Sequence, residues 1–219
     1  MNKRTAARQE TEATIVRTAL SLMAVQGVDA VSMNEVVKAA GQRNASAINY
    51  YFGDKVGLVQ AIFDKYRPGI DQRRQEMLEA FGEDLSLEQM AQAMVLPLIA
   101  ELDNPDGGRE YLQMLARLDR HELNPVEGDD SRRYPTLIEL GQLMLKQLDH
   151  LEPEDYHLRF RAIRNLILHT LADYTSIIGK SPEYDGINRP LFTNILVQSI
   201  VAILSLDSSP IDDHSRPAK

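Results

Sequence analysis

Residues 32–55 read SMNEVVKAAGQRNASAINYYFGDK, and the fold turns on this stretch. Ser32, with Glu35 three residues on, is a capping box that opens a helix to Ala40, and Gly41 can close it. A second short helix is expected over about Asn44–Tyr51, with Asn44 as its cap. Its opening run, Asn44-Ala45-Ser46-Ala47, is too small to build much core, yet a doubled tyrosine and Phe52 follow directly. Small side chains there leave room for something bulky to approach the backbone.

Outward from this stretch the period is helical. An N-terminal helix is expected over roughly Thr5–Gln26, with Ile15, Ala19, Leu22 and Val25 at helical spacing and Gly27 as its stop. Beyond Gly53-Asp54 a helix runs through Leu58, Ile62 and Tyr66. At Arg67-Pro68-Gly69 it should kink or break, because proline removes a hydrogen bond and crowds the preceding turn. The pattern resumes through Met77, Leu78 and Phe81. Ser86 with Gln89 opens a further helix to about Leu102, and Asn104–Gly108 is a strong turn before a helix holding Tyr111, Met114 and Leu118. The stretch Asn124–Arg133 reads as a loop. Helices then cover roughly Tyr134–Leu151, Glu154–Gly179 and Pro190–Leu206. No segment alternates as a strand does, so the fold class is all-α. The expected division is a three-helix head over 1–53, a helical domain over 54–206, and a disordered tail over 207–219.

Bulk composition narrows the function. The chain has 219 residues, no cysteine and a net charge of −8, which removes disulfides, zinc–thiolate sites and thiol nucleophiles. Residues 1–60 carry seven Lys/Arg against five Asp/Glu, a net of +2, which leaves −10 on residues 61–219. Only the head suits a polyanion. The N-terminus lacks the apolar core of a signal peptide, and the longest uncharged run, Pro190–Leu206, is too short and too polar for a membrane span. A cytoplasmic protein is expected.

Three short helices with a tight turn at Gly41 match a helix-turn-helix unit, whose last helix enters the major groove. Ala45, Ser46 and Ala47 then serve as clearance for DNA. Ile48 and Phe52 anchor the opposite face. Arg43 and Asn49 can reach base edges, and Tyr50 or Tyr51 with Lys55 can bind phosphate. The bland reading is a helical hairpin whose small residues allow close packing.

The run T-x5-AL-x6-GVDAVSMNEVVKAAG…YYFGDKVGLVQAIFD resembles the DNA-binding domain of the TetR family of transcriptional regulators, over about residues 10–65. Arg43, Asn44 and Tyr51 are DNA-binding candidates on their residue types and places alone. The resemblance implies contacts to double-stranded operator DNA from Ser32 (phosphate), from Ala45, Ser46, Asn49 and Tyr50, and from Lys55 (backbone). It also implies a homodimer that leaves its operator when a small molecule binds the C-terminal domain, with Pro68-Gly69 as a lever or a passive kink. One departure stands out. Nine residues, 42–50, separate Gly41 from Tyr51-Phe52, one more than the family's common spacing.

For the effector, here expected to be largely apolar, the candidates are Met90, Met94, Tyr111, Met114, Arg117, His169 and Asp173, because they place polar or adaptable groups on otherwise apolar helices. For the dimer they are Ile163, Ile167, Leu171 and Tyr174, one stripe on the penultimate helix, with Ile195 and Val201 on a final helix apolar nearly all round. Two alternatives remain open. A DNA-binding regulator could answer to a protein partner instead of a small molecule. A helical-bundle enzyme would need two Glu-x-x-His pairs for a di-iron site, and only Glu154–His157 fits. Asp149, His150, Glu154 and His157 could otherwise be a metal cluster or a solvated loop. No phosphate loop, Gly-x-Ser-x-Gly elbow or His-Glu-x-x-His occurs, so no catalysis, metal or cofactor is expected.

Overall fold

The structure is a computed structural model that describes residues 3–42, 46–119, 121–124, 135–178 and 188–207. All regular structure among them is helical. In chain order the helices are α1 (Lys3–Gln26), α2 (Met33–Ala39), α3 (Ser46–Phe52), α4 (Lys55–Phe81) and α5 (Leu87–Ile99). A 3-10 turn (Ala100–Asp103) leads to α6 (Gly108–Leu118), α7 (Pro135–Gln147), α8 (Pro153–Ile177) and α9 (Arg189–Leu204). The tail from 208 onward lies outside the described residues, so the expectation of disorder there has no counterpart.

Local chemistry accounts for the ends. The Ser32 hydroxyl accepts from the Glu35 N–H at 3.1 Å, but the reciprocal half of the expected box is missing. The Glu35 carboxylate instead accepts from the Gln26 amide at 3.0 Å, which ties α2 to the end of α1. At Ser86 both halves of the box are present. Asp54 caps α4 through the Gly57 N–H at 2.9 Å. In α1 the buried set is Ile15, Val16, Ala19, Leu20, Met23 and Ala24, whereas Val25 is 71% exposed. The stripe therefore lies to one side of the one expected.

Helix α4 does not break at Pro68; it is one helix of 27 residues. The lost hydrogen bond and the ring clash cost about 3 kcal/mol in a helix interior. Pro68 is exposed, and so is Asp64, whose carbonyl loses its donor to the proline. Water can satisfy that carbonyl. Meanwhile Phe63, Tyr66 and Ile70 are buried on both sides of the proline, and burying three such side chains contributes about 1.5–3 kcal/mol each. Packing outweighs the local penalty.

Two apolar cores share this helix. One joins α1 and α2 to Leu58, Val59, Ile62, Phe63 and Tyr66 of α4, and extends to Tyr111, Met114 and Leu118 of α6. The other gathers α5, α7, α8 and α9 around the far end of α4 at Leu78. The head's packing therefore runs well past residue 54, into the first half of α4 and onto α6.

Candidate functional site

Helix α3 lies on the rim of the head's core. Tyr51 and Phe52 are half-buried against that core, while Asn49 is exposed and Tyr50 is 69% exposed. Gly41, at φ +67°, supplies the left-handed turn after α2 that a side chain would strain. A Cβ on Gly57 would sit 1.9 Å from the Phe52 carbonyl oxygen. Only glycine lets the first turn of α4 come that close to α3, so this contact fixes how α3 is presented. Ser46 begins the helix; Arg43, Asn44 and Ala45 lie outside the described residues, and of Gln42-Arg43, where the extra residue is expected, only Gln42 is described.

Around α3 the polar groups are organised by α1 and α4. Tyr50 and Tyr51 meet edge-on at 5.3 Å, and the Arg8 guanidinium lies 5.3 Å from one ring centroid and 5.7 Å from the other. Sequence reasoning missed Arg8, and its basic charge in the first turns of α1 is the signal that was there. Lys55 has an internal job that the motif did not disclose. Its ammonium donates to the Val28 carbonyl at 3.0 Å and the Asp29 carbonyl at 3.4 Å, pinning the start of α4 to the α1–α2 turn.

A compact trihelical head with an exposed, aromatic-flanked third helix is the geometry of a groove-reading domain. Residues 15–62 match the family model described as bacterial regulatory proteins, tetR family. The head is that of a tetR-family regulator. The match begins inside α1 and ends inside α4, so it spans all of α2 and α3. No curated protein matches the chain. A head of this family makes the chain a DNA-binding transcriptional regulator, and the family is one of regulators, not of enzymes. Among the described residues no helix is long and apolar enough to cross a membrane. Among them, too, no three His, Asp or Glu side chains gather as a metal site.

The body behind this head holds a mostly apolar cavity of about 230 Å³ lined from α4, α5, α6, α7 and α8. Phe63, Ile70, Met94, Leu98, Tyr111 and Phe160 are among its walls. Two larger depressions, beside Arg189 and beside Leu85, are lined mostly by polar side chains. Of the expected effector residues, Met94 and Tyr111 line the cavity. Met90 and Met114 do not: Met114 is sealed within the head's core, and Met90, almost wholly buried, borders the depression beside Leu85 instead. Arg117 is turned to the head, donating to the Val25 carbonyl at 3.1 Å. His169 and Asp173 are exposed, because α8 turns its Ile163–Ile167–Leu171 stripe inward and so carries them on its outer side.

The cavity's charged residues were missed in the sequence. Arg67, Asp71 and Arg74 fall on one face of α4, three and four residues apart, and Arg164 comes from α8. Arg74 is 5% exposed. Its Nε donates to the Ala93 carbonyl at 3.1 Å, and its Nη1 donates to Asp71 and to the Thr136 hydroxyl, both at 3.0 Å. Burial lowers its pKa, with the Asp71 carboxylate opposing the shift, but an arginine stays cationic in proteins.

The expected dimer residues need correction too. Ile163, Ile167, Leu171 and Tyr174 are buried in the chain's own core, where Tyr174 stacks on Phe192 at 4.0 Å. Val201 packs partly against the same core. What α8 and α9 leave outside is a different strip, with Leu158, Leu191 and Ile195 exposed. Small and polar residues (Ala162, Asn194, Gln198, Ala202) share it.

Proposed function

We propose that the chain is a dimeric, sequence-specific repressor that a small effector, bound in the body's cavity, releases from its operator. In this reading α3 enters the major groove, with Asn49 at base edges and Tyr50, Arg8 and the Ser32 hydroxyl at phosphates. Arg43, Asn44, Ala45 and Ser46 stay in the proposed DNA-contacting set on the sequence alone. Lys55 contributes a backbone contact through the N–H left over from its two carbonyl bonds. The outer strip of α8 and α9, centred on Ile195, joins two copies about a twofold axis. The protein acts wherever the cell's DNA is, in the cytoplasm.

The observation that carries this reading is the position of the cavity. Helices α4 and α6 line it, and both also pack into the head's core. Further contacts brace the head against α6 and the segments flanking it. Arg17 pairs with Glu110 at 3.0 Å. His121 meets both Asp29 carboxylate oxygens at 3.0 Å, and the Tyr66 hydroxyl donates to the Asp106 carbonyl. A ligand that parts α4 from α6 therefore tilts the head. In a dimer, tilting two heads alters the separation of the α3 helices, which must be about 34 Å, or a multiple, to meet successive major-groove faces. Effector and operator then weaken each other by one reciprocal factor.

The test is fluorescence anisotropy on a duplex obtained by selection, titrated with effector. A ligand seated in the cavity should lower operator affinity, and filling the cavity with Met94→Trp should abolish that response while operator binding persists. Release that survives Met94→Trp would count against the cavity as the sensor.

A further inference from the structure

Among the described residues two helix interiors carry a proline, and the carbonyls they orphan meet different fates. Pro68 of α4 leaves the Asp64 carbonyl at an exposed position, within reach of water. Pro97 of α5 is buried, and Ala93, whose carbonyl it deprives of an α-helical donor, is 0% exposed. A buried carbonyl without a donor is costly, because no water replaces the lost bond. Here the donor comes from another helix. The Nε–H of Arg74 reaches the Ala93 carbonyl at 3.1 Å. Arg73, its neighbour on α4, donates to the Pro97 carbonyl at 3.3 Å and pairs with Glu101 beyond the end of α5. Two adjacent residues of α4 thus grip α5 at positions 93 and 97. Met94 lies inside that span and Leu98 just beyond it, and both line the cavity.

We propose that Arg74 supplies the hydrogen bond that Pro97 takes from α5, and that this exchange makes Arg74 a positioning residue for the effector cavity, setting Met94 and Leu98 against α4. The positioning role rests on reading this cavity as the effector site. A guanidinium suits the task because its donors are spread over one rigid plane. Its Nε–H serves α5 while Nη1 serves Asp71 of α4 and Thr136 of α7. One side chain therefore holds three helices in register. A lysine ammonium, a single point of charge, could not span them. A plain ion pair with Asp71 gives no reason for the Nε bond, and buried ion pairs add little stability by themselves. The Ala93 carbonyl is open to Arg74 because residue 97 is a proline.

A double-mutant cycle on the full-length protein tests the exchange. Arg74→Met strands the Ala93 carbonyl in the parent, whereas in Pro97→Ala the helix supplies its own N–H. The increase in the unfolding constant should therefore be at least tenfold smaller in the Pro97→Ala background. Lost bonds to Asp71 and Thr136 are common to both backgrounds and cancel. Additive effects would overturn the exchange. Solvent exchange of the Arg74 Nε–H, followed by NMR, needs no arginine variant. It should be slow in the parent and at least tenfold faster in Pro97→Ala, and equal rates would overturn the exchange too. The positioning role is read with toluene, a neutral probe, on the Met94 methyl signal. Toluene should bind Pro97→Ala at least threefold more weakly than the parent, because a wall no longer held in place must be ordered on binding. A merely structural arginine would leave that affinity alone, so equal affinities would overturn the positioning role. A parent whose Met94 signal ignores toluene would sink the cavity as a binding site and the positioning role with it, while the exchange stands or falls by the cycle.

Discussion

Tyr66 of α4 and Tyr111 of α6 stack with ring centroids 4.5 Å apart and 14° between their planes. Both are almost wholly buried in the head's core. Tyr111 also lines the cavity, and its ring meets Phe63 edge-on at 5.8 Å. One aromatic contact therefore joins the wall of the body's cavity to the packing of the DNA-binding head. Phe63, which also lines the cavity and lies in the same core, carries a second link along α4.

Replacing Tyr111 by leucine keeps an apolar side chain but removes the stack. The expected loss of stability is about 1–3 kcal/mol, from the aromatic pair together with the unfilled volume. Because Tyr111 also lines the cavity, effector affinity is measured by itself, and operator release should need more effector than any loss of that affinity accounts for. Chemical denaturation and a release titration measure the two effects, and an unchanged release midpoint would show that coupling runs elsewhere.

Three head variants should behave differently. Asn49→Ala should narrow the difference in affinity between the selected operator and a scrambled duplex, by about 1–3 kcal/mol per base pair read. Arg8→Ala should weaken all duplexes alike and reduce the salt dependence by about one phosphate contact. Lys55→Met should also lower thermal stability, since two turn carbonyls lose their donor, at about 1 kcal/mol. Binding curves at two salt concentrations, with melting temperatures, separate these outcomes.

Charges introduced at two isoleucines should have opposite consequences. Ile195 is 57% exposed, so Ile195→Glu should leave the fold intact and give a monomer in sedimentation. Ile167 is 4% exposed, so Ile167→Glu buries a carboxylate in the body's core and should unfold the protein.

Alkaline pH should destabilise the chain. Burial pushes the Tyr66 hydroxyl from 10.0 up to about 12, and Tyr156 likewise. A pKa raised on folding means that the native state holds protons the unfolded chain has lost. The associated stability is therefore complete below pH 10 and disappears as pH climbs towards about 12. Melting temperatures of the Tyr66→Phe/Tyr156→Phe double variant should fall less steeply across that interval than those of the parent.

The helices were legible because each has a local cause: Ser32, Asp54 and Ser86 as caps, Gly27 and Gly41 as stops, and a clear 3.6-residue period. Pro68 misled because the local rule contains no term for the burial of Phe63, Tyr66 and Ile70 around it. On α8 the apolar stripe was visible, but periodicity says only that Ile163, Ile167 and Leu171 share a face. It does not say whether that face meets the chain's own core or a second copy. The head's surface could be read at Asn49 and Tyr50, whereas the Arg8 contact with the tyrosines and the Lys55 bonds to Val28 and Asp29 join residues 26 to 43 positions apart. The cavity was hardest of all. Its arginines look like ordinary helix-surface charge until α5, α6 and α8 close over them.

The central claim is sequence-specific recognition of duplex DNA through α3, and selection from a random duplex pool by the full-length protein tests it most directly. The account predicts enrichment of a twofold-symmetric site whose half-sites repeat at about one helical turn or a multiple, with Asn49→Ala relaxing the preferred bases and affinity falling steeply with salt. A pool that stays unenriched at low salt, or an enriched site indifferent to every substitution on α3, would contradict it.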